Sequence, residues 1–369
     1  MKVKLGDICT FQSGGTPSKG TEEFFNGTIP WITTTSLNGG KIDETQAVDW
    51  ITEKAIEKSA AKLVPAFSIM VGTRVGVGKV AVNTVQMSTS QDIISLLDID
   101  ENRWNKDYLC KFIQGKKTFL NSQARGATIK GIKIDVLANL ELEEIPIDEQ
   151  IRISETIDKV KDILKARKSE LLELDNLVKA RFIELFGNIL CDSNLPLVQL
   201  SELANIGSSK RIYANEYVDE GIPFYRSKEI RELGTGLKPS VELFIKQERY
   251  DEIKEKYGVP KVGDILVAAI GATIGYSWIV DTENPFYYKD GNLIILSIKD
   301  NVNPVFLNHT MGILIEDFKN KGVAGSAQLA LTIEKLEKMM VVNPDIELQN
   351  QFAEFVNQVD KSKLLDAQH

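Results

Sequence analysis

The chain has 369 residues, 43% hydrophobic and 26% charged, with a net charge of −8 at pH 7. That length exceeds one ordinary core and suits two domains with a connector, and no apolar run approaches the roughly 18 residues of a membrane span. Three scattered cysteines (Cys9, Cys110, Cys191) and two histidines (His309, His369) speak against a disulfide framework, a CxxC metal site or a Ser/His/Asp triad, while the acidic balance weighs against nucleic acid unless charge is segregated into basic loops.

The N-terminus, MKVKLGDICTF, lacks the apolar core of a signal peptide, so a cytoplasmic protein is expected. Residues 2–15 read as a short amphipathic segment, a strand and a Gly-Gly turn, and strand-like Ile29 to Thr34 follows. Residues 50–65, WITEKAIEKSAAKLVP, have helical spacing up to Pro65. FSIMVGTRVGVGKVAVNTV is two β-branched runs about a Gly-rich turn, followed by a strand at Ile93 to Leu97. Helices are expected at roughly Lys106–Gln114 and near Thr118–Ala124, before LANLELEEIP runs extended. Gly76 to Ala81 fits the dinucleotide pattern GxGxxA, but strand-like residues follow where that fingerprint must open a helix; a tight hairpin is the better reading.

From Pro146 to Gly187 there is one proline, at the start, and no glycine until the end, which predicts a single long helix. Ile157, Leu164, Leu171, Val178 and Leu185 recur every seven residues, with Val160 and Leu174 three residues after members of that row, a seam at coiled-coil spacing that needs a partner helix. A rod of about 54 Å reads as a spacer between two bodies. Arg167 and Arg181 interrupt the seam, and their heads are expected to reach water or the acids of a partner helix.

After Gly187 the order restarts. LVQLSELANI (197–206) matches KVKLGDICTF (2–11), EGIPFYRSKEI (220–230) matches GTIPWITTTSL (27–37), and IGATIGYSWIV (270–280) matches TRVGVGKVAV (73–82). AGSAQLALTIEKL (324–336) then matches RGATIKGIKIDVL (125–137), and NPDIELQNQFAEFVNQVD (343–360) matches IPIDEQIRISETIDKVKD (145–162). Five matches in one order, at offsets of about 193 to 199, indicate a tandem duplication. The expected class is α+β: domains at residues 1–145 and 191–343, each a twisted sheet with helices, with helical segments at 146–190 and 344–369.

Cations in glycine- and hydroxyl-rich loops suit phosphates and guanine edges. Arg74 and Lys79 flank the first hairpin and Arg125 and Lys130 the ARGATIK turn; Lys210, Arg211, Arg226, Lys228 and Arg231 mark the second unit's loops. The Asn/Asp-Pro-Pro-aromatic loop of an adenine methyltransferase is missing, so no catalytic residue and no cofactor is expected in this chain.

With its LGDICTFQSGGTPS opening, IPWITTTSL strand, GVGKVAV hairpin and EIPIDEQIRI lead into a helix ending in FIELFG, all in a duplicated order, the chain resembles the specificity subunit of a type I restriction–modification system over essentially its whole length. The resemblance implies two target-recognition domains reading a bipartite, asymmetric double-stranded DNA site, one half-site each, with antiparallel paired helices setting the gap. It also implies two modification subunits, which use S-adenosylmethionine, and restriction subunits, which use ATP and Mg. DNA-facing positions would be Thr16, Ser18, Thr34, Thr35, Arg74, Lys79 and Arg125 in the first unit, and Ser209, Lys210, Arg211, Arg226, Lys228, Thr273 and Gln328 in the second; Tyr276 replaces Lys79 in the second hairpin. A stand-alone DNA-binding competitor and a two-headed scaffold that binds no DNA are the alternatives. Phe352, Val356 and Val359 take the places of Ile153, Ile157 and Val160, but Lys363 stands where Leu164 stood and the chain stops at His369. Part of the Leu171–Leu185 seam is therefore expected to lie bare and to promote self-association.

Overall fold

The computed structural model describes residues 1–126, 130–191, 195–322 and 330–365. The fold is α+β, in two compact units, Met1–Ala166 and Arg167–His369, whose boundary falls inside the helix Ile147–Phe186.

In the first unit, Lys2–Lys4 pairs antiparallel with Glu141–Glu143, setting Lys2 opposite Glu143 and Lys4 opposite Glu141, so that opposite charges face each other across the ribbon. A five-stranded sheet follows in the order Thr10–Ser13, Ile93–Leu97, Ile69–Gly72, Val80–Asn83, Lys41–Ile42. The helix Lys106–Gly115 covers it, burying Leu109 and Ile113 against Ile69, Val71 and Leu96. A four-stranded sheet carries Asp49–Ile51, Phe25–Ile32, Met87–Thr89 and Leu63–Val64.

The second unit is built alike. Leu197–Gln199 pairs with Met340–Val342, and a sheet runs in the order Ala204–Gly207, Leu293–Ile298, Ile265–Ala268, Ser277–Ile279. These four strands are ordered as their counterparts are in the first unit, as the sequence repeat predicts. A second sheet, Tyr217–Val218, Phe244–Ile245, Ile222–Tyr225, Tyr287–Tyr288, is packed by aromatic rings, with Tyr225 stacked on Phe286 at 4.9 Å.

One expected helix is much shorter than its spacing suggests. Within 50–65 only Glu53–Lys58 is helical, and Ser59 is extended. The Ser59 hydroxyl donates back to the Ala55 carbonyl at 2.6 Å and accepts from Ala61 N, ending the helix. The Ala60 carbonyl then lies against Gly15, where a Cβ would come within 1.9 Å. A contact with a loop some 45 positions earlier thus overrides local propensity.

The long helix has the bounds its punctuation predicts. The Pro146 carbonyl accepts from Gln150 N, Asp148 and Glu149 occupy the positive first turn, and Gly187 ends it at φ +72°. In the second unit, Val178, Phe182 and Phe186 of this helix join Phe306, Phe352, Val356 and Val359 in one cluster, with Phe182 edge-on to Phe352 at 5.3 Å. Lys363 meets Asp175 at 2.8 Å, and its carbonyl accepts from Arg167. One helix thus ascends as the terminal helix Ile346–Leu365 descends: an antiparallel pair. Arg181 lies over the Phe355 ring at 5.8 Å while bonding Glu184 of its own helix.

This direction corrects the expected location of the bare seam. The first turns of the terminal helix cover Val178–Phe186, so Val178 is buried and Leu174 and Leu185 are partly so. The exposed row lies earlier, at Ile157 (36% exposed), Val160 (50%), Ile163 (67%) and Leu164 (55%).

Cys9 and Cys110 are buried and their thiols are pushed up to about 12, chiefly by desolvation; Cys191 is exposed. Among the described residues no helix is long and apolar enough to cross a membrane. His309 sits edge-on to Phe352 at 5.2 Å, and burial holds its imidazole below the ordinary value, aided by Lys363 and opposed by Asp360 and Asp175. A lowered folded value means that the unfolded chain takes the proton first. Stability of the second unit is therefore expected to fall as pH drops below about 6.5. Urea unfolding midpoints at pH 7 and 5.5 check this, and His309→Gln should narrow their difference.

Candidate nucleic-acid interface

In the first unit, four loops meet at one end of the five-stranded sheet. The hairpin between Ile69–Gly72 and Val80–Asn83 is closed by Gly72 N to Lys79 O (2.8 Å) and Gly78 N to Gly72 O (2.9 Å), which require the positive φ of Gly76 (+75°) and Gly78 (+77°). The Arg125–Gly131 turn, a two-way backbone bridge, docks on it through Ile132 N to Thr73 O at 2.8 Å. The Thr33–Ser36 turn touches it where the Lys79 ammonium donates to the Thr34 carbonyl at 3.5 Å. The Gly14–Gly15 segment is tied in by Gly14 N to Ile93 O and Gly15 N to Thr89 O.

These contacts bring Arg74 and Arg125 together around a cleft of about 520 Å³, joined by Gln123 and Lys133, which sequence reasoning did not single out. Arg74 is exposed and only loosely paired with Asp92, at 3.7 Å. On the hairpin's other side Lys79 borders a cleft of about 870 Å³ with Lys117, Lys161 and Lys165, beside Asp158 and Asp162. Thr16, Ser18 and Thr35 are exposed, with the Thr35 hydroxyl 2.8 Å from that of Thr33, whereas Thr34 is buried at 4% exposure and offers a loop its carbonyl only.

The second unit repeats the frame with other furnishings. Ala268 N to Tyr276 O (2.8 Å), Gly275 N to Ala268 O (2.9 Å) and Leu331 N to Ala269 O (2.9 Å) reproduce the first hairpin and its docking. Tyr276, exposed, occupies the place of Lys79, and the Thr273 hydroxyl donates to Ile270 O at 3.3 Å. The loop after Ala204–Gly207 is held by Lys210 N donating to the Tyr287 hydroxyl at 2.7 Å, with Ser209 half-buried and the Lys210 ammonium 5.2 Å from the Tyr257 ring centre. Gln328 lies outside the described residues.

Of the named cations of this unit, Arg211, Arg226 and Lys228 are committed to acids. Arg211 bonds Asp290 at 2.7 Å, which raises its guanidinium's affinity for the proton. Arg226 bonds the fully buried Glu229 at 2.8 Å and Glu242 at 2.9 Å, and Lys228 bonds Glu242 at 2.7 Å. These two cations hold the Glu242 carboxyl down to about 2. A buried carboxylate needs a paired cation, so Arg226 neutralises Glu229 at the start of the helix Ser227–Gly234. Sequence could not foresee this: Glu242 is 16 positions away and Asp290 79.

The model of the type I restriction modification DNA specificity domain matches residues 1–174 and 193–368. A putative type I restriction enzyme specificity subunit of Haemophilus influenzae is 28% identical over 236 residues, covering 61% of this chain and 58% of that protein. The MjaVIII specificity subunit of Methanocaldococcus jannaschii is 22% identical over 97% of this chain and 85% of its own length. The chain thus spans under two thirds of some of the curated relatives it matches. A type I restriction–modification S subunit from M. genitalium has the same fold, with TM-score 0.59, 17% identity and coverage of 98% of this chain and 90% of that one.

Proposed function

The chain belongs to the type I restriction–modification DNA specificity family, and from that premise we propose that it selects the DNA sequence on which such a system acts, one half-site per unit. The observation that carries this reading is one backbone frame built twice and furnished differently. The two bonds that close the hairpin and the bond that docks the following segment on it recur, while one frame carries Arg74, Lys79 and Arg125 and the other Tyr276, Arg211 and Arg226. Two readers of unlike chemistry on one scaffold suit an asymmetric, two-part site. The chain itself is non-catalytic in this reading; two modification subunits with S-adenosylmethionine methylate the DNA, and restriction subunits with ATP and Mg cut it.

Arg74 and Lys79 serve mainly as phosphate contacts in this reading, since they flank the hairpin and make no close ion pair among the described residues. Arg74→Ala is expected to weaken DNA binding to a similar degree on matching and non-matching sequences, and to reduce the slope of log K against log salt by about one. Titrations of the assembled methyltransferase at several salt concentrations measure both. Lost discrimination at one base pair with an unaltered slope would assign Arg74 to base readout instead.

A further inference from the structure

Gln150 and Gln349 are each the fourth residue of the helix that follows a head, Ile147–Phe186 and Ile346–Leu365 respectively. Both side chains are buried, at 0% and 1% exposure. The Gln150 amide oxygen accepts from Asn105 N at 2.9 Å, and its nitrogen donates to Arg103 O (2.8 Å) and Ile145 O (2.9 Å). The Gln349 oxygen accepts from Asn303 N at 2.9 Å, and its nitrogen donates to Pro344 O at 2.8 Å. Asn105 and Asn303 each cap the start of a helix packed in their own head, through Tyr108 N and Val305 N. The same joint therefore occurs twice: a buried amide ties the first turn of a spacer helix to the capped start of a head helix, through backbone atoms that no rotamer change can move.

We propose that Gln150 and Gln349 are positioning residues for DNA recognition, pegging each head at a fixed angle on its helix and thereby narrowing the number of base pairs tolerated between the half-sites. The proposal rests on the two-half-site reading above. Its leverage is geometric. A tilt of about 10° at such a joint moves a surface roughly 20 Å away by about 3.5 Å, close to the rise of one base pair. An apolar side chain of similar size would fill the space but leave the orientation soft, because dispersion contacts have no direction. Hydrogen bonds are directional, and those of Gln150 reach three separate backbone positions.

The test is a plasmid library carrying the two half-sites at every gap within three base pairs of the native one, methylated in cells by the complete methyltransferase. The readout is the ratio of methylation at neighbouring gaps to that at the native gap, which is independent of how much folded enzyme is present. Gln150→Met and Gln349→Met are each expected to raise this ratio at least tenfold with the half-site bases unchanged. Leu96→Ala, a core change in the first head that removes none of the joint's hydrogen bonds, should lower methylation evenly and leave the ratio alone. An unchanged ratio in both Met variants would overturn the proposal, as would an equal rise in Leu96→Ala. Loss of methylation at all gaps in both Gln150→Met and Gln150→Glu would also overturn it, because the amide would then be needed for the fold and not for the gap. If the wild-type complex methylates no two-part sequence, the functional reading fails and takes the proposal with it, a result distinct from a narrow gap that the variants leave intact.

Discussion

Replacing residues 1–145 with the corresponding part of a relative is expected to change one half of the methylated sequence and to leave the other half as it was. Each mismatched base pair costs about 1–3 kcal/mol, so a new half-site differing at three positions should reduce methylation of the old sequence by roughly a hundredfold or more. The physical ground is that the hairpin, the Arg125–Gly131 turn and the Thr33–Ser36 turn are braced by backbone bonds made within the first unit. Sequencing of methylated motifs in cells carrying the chimera decides it. A simultaneous change in both halves would show that the heads do not read independently.

Phe352→Ala carries the largest expected stability loss, about 3–5 kcal/mol. Phe352 is fully buried, edge-on to Phe182 at 5.3 Å and Phe186 at 5.6 Å, and it touches His309 as well. Truncation would open a cavity where the long helix, the helix Pro304–Gly322 and the terminal helix meet, in a cluster that includes Phe306. Chemical denaturation followed by circular dichroism would register a lower midpoint. Phe352→Leu, which keeps most of the volume, should lose much less. Equal losses in the two variants would mean that filled volume at this position is not what holds the terminal helix.

Much of the fold was legible because the chain is punctuated by residues with special backbones. Pro146 and Gly187 marked the long helix to within a residue, Gly76 and Gly78 marked the hairpin, and β-branched spacing placed Ile93–Leu97. The duplication was legible from motif order alone. What stayed hidden depended on partners distant in sequence. Residues 59–62 leave the helix because the Ala60 carbonyl meets Gly15. Heptad spacing showed which face of the long helix seeks a partner but not which stretch receives one. The direction of pairing and the Phe182–Phe186–Phe352 contacts decide that. At the candidate interface, the order of motifs located the hairpins, but Lys228 and Arg231, expected in loops, lie in the helix Ser227–Gly234, and motif order could not tell an available cation from a committed one. Arg74 and Arg226 look alike in sequence; one is exposed with a loose partner, and the other neutralises a buried carboxylate. Nothing in IKID distinguishes Lys133 from an ordinary surface lysine; only the docking turn brings it beside Arg125.

The hairpin and its docking turn are closed by main-chain groups, so the side chains that would face a ligand contribute little to keeping the loops in place. Substitutions at exposed positions such as Thr16, Thr35 or Arg74 then fall in the class that usually shifts stability by no more than about 0.5 kcal/mol. A marginally stable protein can wander freely among such variants without approaching the threshold at which it unfolds. Selection for a new target can therefore proceed one contact at a time, each intermediate remaining folded, which gives this frame a capacity to diversify that a reader built from interlocked side chains would lack.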